Sequence, residues 1–245
     1  MLNLLKNAAP LSKEQHSETY LETGMGYDFT KGMAFVPTLV TEIPNLISDY
    51  ALAFVEKGGN VALVALLGLK EGENLYLNAD GTWAADYVPA VLRQYPFAAM
   101  MGGEGQERRG VLCIAEDFPG INTEGKGVAL FGEDGEASDL VTSAQKMVTE
   151  FASGALRTKA FNAELQKHEL LKPMRAILKN TSGEERRISG LLAVDRTALK
   201  ELPAEDLKAL QDSGALELIY LQLASMKNLR ELASRIGETP NATLN

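Results

Sequence analysis

Cysteine is almost missing from this chain: Cys113 stands alone among 245 residues, so no intrachain disulfide can form. Nothing in the composition therefore asks for an oxidising compartment. Histidine is nearly as scarce, with only His16 and His168. That shortage removes most histidine-based catalytic schemes and the usual zinc centres. A facial iron site would need both histidines and a carboxylate. The expectation is no metal and no cofactor. Positive charge is also in deficit. The 24 Lys and Arg against 33 Asp and Glu leave a formal charge of −9. Phosphate binding needs clustered cations, so nucleic acid is not an expected partner. The doublets Arg108-Arg109 and Arg186-Arg187 sit in polar, loop-like sequence and read as solvated turns.

Long apolar runs are absent as well. The most apolar stretch, 61–69, has the length of a strand and falls far short of the ~18 residues of a membrane span. At the start of the chain, Asn3, Lys6 and Asn7 interrupt the ~7-residue apolar core that a secretory signal requires. These features set the expectation of a cytoplasmic chain without membrane insertion.

Aromatic residues are thinly spread except in 74–97, NLYLNADGTWAADYVPAVLRQYPF. This stretch holds the only tryptophan, Trp83, and sets Tyr87, Tyr95 and Phe97 around Arg93. Pro89 and Pro96 bracket a short helix. Two readings follow for Trp83, Tyr87, Arg93 and Tyr95, with Glu42 and Asn74 as further polar partners. In one, the guanidinium binds an acidic group between aromatic walls. In the other, Arg93 is an ion-paired, ring-stacked clamp with Glu42 as its partner, joining a helix to the sheet.

Other chemistry-bearing patterns are weak. Gly102-Gly103-Glu104-Gly105 lacks the Lys-Ser/Thr pair of a phosphate loop. Asp80-Gly81 and Asp134-Gly135 lack the ligand spacing of a calcium loop. Cys113, between Leu112 and Ile114, reads as a buried strand thiol.

The pattern along the chain predicts an α+β fold: a mainly antiparallel sheet with packed helices and a helical C-terminal segment. Residues 1–32 show no sustained apolar period and read as a flexible arm. Residues 33–237 read as one domain, and 238–245 as a disordered tail. Hairpins are expected across Lys57-Gly58-Gly59-Asn60, across Asn78-Ala79-Asp80-Gly81 and across Ser182-Gly183. Strands are expected at 97–101, 111–115 and 128–131. Apolar residues at Leu140, Ala144, Met147, Val148 and Phe151 predict a helix opening at Ser138 or Asp139, with a break near Gly154. Pro203 opens another helix, Gly214 stops it, and a longer helix runs from 216 to about 237.

The run N-L-Y-L-N-A-D-G-T-W, then D-Y-V-P-A and R-Q-Y-P-F, resembles the signature of the SapC family of bacterial proteins. Leu112-Cys113-Ile114, the segment from Gly127 to Asp134-Gly135, and the pattern from Gly190 through Leu202-Pro203 to Leu229 extend the likeness over roughly 35–232. Gln94 departs from it, standing where a second arginine is expected. The resemblance implies a non-enzymatic accessory role beside surface-layer or outer-membrane proteins or their export machinery. It brings no catalytic residues. The alternative is a small-molecule-binding domain or enzyme using the aromatic–arginine cluster at Arg93. Oligomeric state is open.

Overall fold

Gly58 and Gly59 both hold positive φ, at 59° and 78°, and join two strands paired from Leu52↔Ala65 to Lys57↔Asn60. Only a residue without Cβ adopts two such positions in succession at little cost, so Gly-Gly fixes this tight hairpin. The computed structural model that shows it describes residues 3–102, 109–180, 185–236 and 238–241.

In chain order the strands are β1 (Ala8–Pro10), β2 (Tyr20–Leu21), β3 (Phe35–Pro37), β4 (Leu52–Lys57), β5 (Asn60–Leu66) and β6 (Phe97–Gly102). They continue with β7 (Arg109–Ala115), β8 (Ile121–Asn122), β9 (Val128–Ala129), β10 (Leu171–Asn180), β11 (Glu185–Val194) and β12 (Glu238–Asn241). The helices are α1 (Lys13–His16), α2 (Ile43–Leu46), α3 (Ala90–Arg93) and α4 (Asp139–Lys167). After them come α5 (Arg196–Glu201), α6 (Ala204–Asp212), α7 (Ala215–Ser225) and α8 (Asn228–Ser234). Every strand pairing is antiparallel, and the fold is α+β.

The chain forms two compact units instead of the single domain expected. One comprises Met1–Phe29 and Val91–Ser153, the other Thr30–Ala90 and Gly154–Asn245. Both α3 and α4 begin in one unit and end in the other, so no polar linker marks the division. That is why composition did not reveal it.

In the smaller unit, β7 lies between β1 and β6, and β2 lies between β8 and β9. Leu21, Phe97, Leu112, Ile114, Leu130 and Val148 form the core, so the amphipathic start of α4 closes over this sheet. Cys113 is buried on β7. The N-terminal segment, expected to be a flexible arm, is built into this unit. Ala8, Ala9 and Pro10 pair with Ala115, Ile114 and Cys113. His16 is buried with its Nε2 3.3 Å from Glu116 Oε1. Strands this short have no readable period, and their order comes from a partner about a hundred residues away.

Gly127 lies directly against the backbone of β2. Its φ is 90°, and a Cβ there would lie 2.2 Å from the Leu21 carbonyl oxygen. Gly127→Ala is expected to cost about 2–3 kcal/mol, combining left-handed backbone strain with displacement of β2. Urea unfolding measures it; a midpoint equal to wild type would show that the β2–β9 approach is not required for stability.

The larger unit holds a six-stranded sheet in the order β12-β10-β11-β4-β5-β3. Pro37 ends the edge strand β3, where a missing N–H costs no ladder bond. The expected tail contributes β12, whose Glu238–Asn241 pairs with β10; residues 242–245 lie outside the described ones. The 182–183 turn also lies outside them, and its flanking strands pair as a hairpin. At Asp80-Gly81 the hairpin shrinks to one bridge, Leu77↔Trp83. The expected long C-terminal helix is divided into α7 and α8. The break carries Asn228 inward, where its amide donates to the Ile47 and Tyr50 carbonyls, both at 2.9 Å. One of these acceptors is buried and the other part-buried, and both are satisfied in this way.

Candidate functional site

Glu42 is buried, and its carboxylate collects three donors. Oε2 accepts from Leu39 N at 3.0 Å, and Oε1 from Tyr87 Oη at 3.0 Å and Ala90 N at 2.6 Å. Hydrogen bonds to an ionised acceptor are the strong kind, so Glu42 pins both the 39–42 turn and the segment entering α3. Asn74 is likewise structural. Its amide donates to Thr30 O and Oγ1 at 3.2 and 2.9 Å, and its oxygen accepts from Tyr76 N at 2.9 Å.

Trp83 belongs to an aromatic block. Its Nε1 donates to Tyr50 Oη at 2.6 Å, and its ring stacks on Tyr76 with centroids 5.9 Å apart. Tyr50 donates to the Tyr87 carbonyl and Tyr76 to the Asp49 carbonyl, both at 2.5 Å. Burial pushes both phenol pKa values far above the ordinary range. Burial, with the Asp86 charge nearby, also raises the Asp49 carboxyl. The arginine on this block is Arg235, which sequence reasoning passed over. Its guanidinium carbon sits 4.4 Å from the Tyr76 ring centroid, and Nη1 and Nη2 donate to Leu75 and Ala84 carbonyls at 3.0 and 3.3 Å.

Arg93 and Tyr95 fall in the smaller unit, whereas Glu42, Asn74, Trp83 and Tyr87 fall in the larger. The six residues expected in one cluster are therefore divided, because the boundary cuts α3 between Ala90 and Val91. Arg93 is exposed. Tyr95 is half-buried against Phe29, at 4.6 Å between centroids, and edge-on to Phe118 at 5.3 Å. Its place is in the aromatic core of that unit.

The larger unit contains a pocket of about 600 Å³ that sequence reasoning did not locate. One wall is the face of α4 carrying Arg157, Ala160, Phe161 and Glu164, at helical spacings of three and four. Facing it are Val40 and Thr41 of the turn that Glu42 holds and Pro44 of α2, and Ala163, Ser213 and the α7 residues Ala215 and Leu218 complete the lining. Thr158 ties the two walls together: its hydroxyl accepts from Val40 N at 3.0 Å and donates to Gly154 O at 2.8 Å.

Gly154 explains how close the walls come. A Cβ there would lie 2.7 Å from Leu39 Cδ1 and 3.2 Å from Thr41 Oγ1. The expected helix break at this glycine does not occur; α4 runs through it, and the missing side chain admits the turn. The lining is mainly apolar with a few polar groups, the composition of a binding site for an organic group. Glu164 is already engaged, with Oε2 3.4 Å from both Lys167 Nζ and His168 Nε2. Among the described residues Arg157 has no ion pair or hydrogen-bond partner. Also among them, no group of three or more His, Cys, Asp or Glu is placed to hold a metal ion.

The SapC family model matches residues 11–232, most of the chain. The chain belongs to the SapC family. Neither the curated proteins nor the solved structures compared with it match. Among the described residues no helix is long and apolar enough to cross a membrane. Within this SapC chain, the departure at Gln94 falls at a buried position, and Gln94 Oε1 has no hydrogen-bond partner among the described residues. An arginine there would bring a charge into that position, so glutamine is the less costly occupant.

Proposed function

We propose that this SapC protein is a non-enzymatic accessory factor of the cytoplasm that binds surface-layer or outer-membrane proteins, or their export machinery. The observation that carries the reading is the open apolar pocket between α4, the 39–44 turn and α7, braced by Glu42 and Thr158. Such a surface suits an apolar segment of a client chain before it reaches its final location. Family membership supports the direction of the reading, since the family takes its name from surface-layer proteins. The aromatic block supports the competing small-molecule reading less well, because Trp83 is bonded to Tyr50 and stacked on Tyr76, and both tyrosines donate to backbone carbonyls.

Site-specific crosslinking tests the proposal. A photoreactive residue at Ala163, on the pocket rim, is expected to give discrete protein adducts in cells that produce the chain. Those adducts should include surface or outer-membrane proteins or exporters, and should disappear when Ala160→Trp fills the pocket. Adducts that are indifferent to Ala160→Trp would overturn the pocket as the working surface.

A further inference from the structure

The pocket offers more than apolar area. Among the described residues the cation at its wall, Arg157, has no ion-pair partner, and Glu164 two turns along the helix lies beside Lys167 and His168. The lining also includes buried Phe161 and Val40, half-buried Leu218, and the exposed Thr41 and Ser213. A carboxylate joined directly to an apolar body satisfies all of these. The pocket is also open to solvent, so the rest of the ligand can remain in water. Within a polypeptide that combination occurs at the C-terminal residue when its side chain is apolar.

We infer that the pocket captures the free C-terminal carboxylate of a client chain, with Arg157 as its planar two-pronged partner and the last apolar side chain against Phe161 and Leu218. This rests on the accessory-factor reading of the pocket and names the group it recognises. A guanidinium at the solvent edge keeps its donors hydrated until the carboxylate arrives, and two parallel N–H···O bonds then fix the orientation of the chain end. An internal segment brings a carboxylate only on an Asp or Glu side chain, on a different residue from the apolar side chain, so the site favours an apolar chain end. A volume of about 600 Å³ has room for the last few residues of a chain.

Fluorescence anisotropy with a short labelled peptide ending in valine-leucine tests this, using the full chain. The free acid is expected to bind about tenfold more tightly than the same peptide as its C-terminal amide. Arg157→Gln should abolish that difference while leaving the affinity for the amide unchanged, and Arg157→Lys should restore part of it. Arg157 is exposed, so these variants should unfold at the wild-type temperature. Equal binding of acid and amide, both lost in Ala160→Trp, would overturn carboxylate capture and leave the pocket reading standing. Binding of dodecanoate but of neither peptide would overturn the polypeptide end as the occupant in favour of a lipid acid. Binding of none of the three would overturn the inference and the pocket reading together.

Discussion

Replacing Glu42 by alanine is expected to remove about 3–5 kcal/mol of folding stability. Three donors depend on this one carboxylate: the Leu39 and Ala90 amides and the Tyr87 hydroxyl. Alanine removes the carboxylate that all three meet, the Leu39 bond being buried and the other two part-buried, and a donor that loses its acceptor there carries a desolvation cost. Glu42→Gln should cost less, about 1–2 kcal/mol, because its carbonyl still accepts while its amide meets one of the donors with another donor. Chemical denaturation of both variants measures the order. The effect should also reach the pocket, since the 39–42 turn supplies Val40 and Thr41 to its wall. A loss below about 1 kcal/mol for Glu42→Ala would show that the turn is held by other contacts.

Alkali is expected to destabilise the larger unit steeply. Tyr50 and Tyr76 are fully buried, and burial raises both phenol pKa values well above those of the unfolded chain. A raised folded pKa means that the native state keeps protons the unfolded chain releases. The contribution is therefore complete below the unfolded value, near pH ~10, and is lost as pH rises above it. Each phenol withholds one proton, so the two together should lower stability by about 2.7 kcal/mol per pH unit above that point. By pH ~12 the loss reaches roughly 5 kcal/mol, the lower end of a domain's whole stability. Denaturation midpoints measured between neutral pH and pH ~11.5 should stay level and then fall. Tyr50→Phe combined with Tyr76→Phe should start lower, having lost the bonds to Trp83, Tyr87 and Asp49, and then fall less steeply. Parallel slopes for wild type and the double variant would assign the alkaline loss to other groups.

Much of the local structure was legible because its causes are local. Lys57-Gly58-Gly59-Asn60 turns where it should, since two adjacent glycines permit what other residues resist. Pro89 and Pro96 bracket α3 as expected. Cys113 lies buried on its strand, as its apolar neighbours suggest. The candidate site was less legible. Glu42, Trp83 and Tyr87 stood out by residue type, and they do meet special partners. The arginine on the aromatic block proved to be Arg235, from the far end of the chain, while Arg93 lies in the other unit. The pocket left one trace in sequence, the spacing of Arg157, Ala160, Phe161 and Glu164 on one helix face. Nothing in that spacing says which distant segment faces it.

By itself the sequence determined the α+β class, the antiparallel hairpins, the scarcity of metal-ligating side chains and the family. Each follows from short-range conformational preference, from composition or from motif spacing. Tertiary structure alone decided the rest: the division into two units through α3 and α4, the pairing of β1 and β12, the unbroken run of α4 past Gly154, and the pocket. These depend on groups far apart in the chain that meet only when buried polar atoms find acceptors and close-packed walls find room. Such matching is a property of the folded whole, and a pattern read along one strand or helix does not contain it.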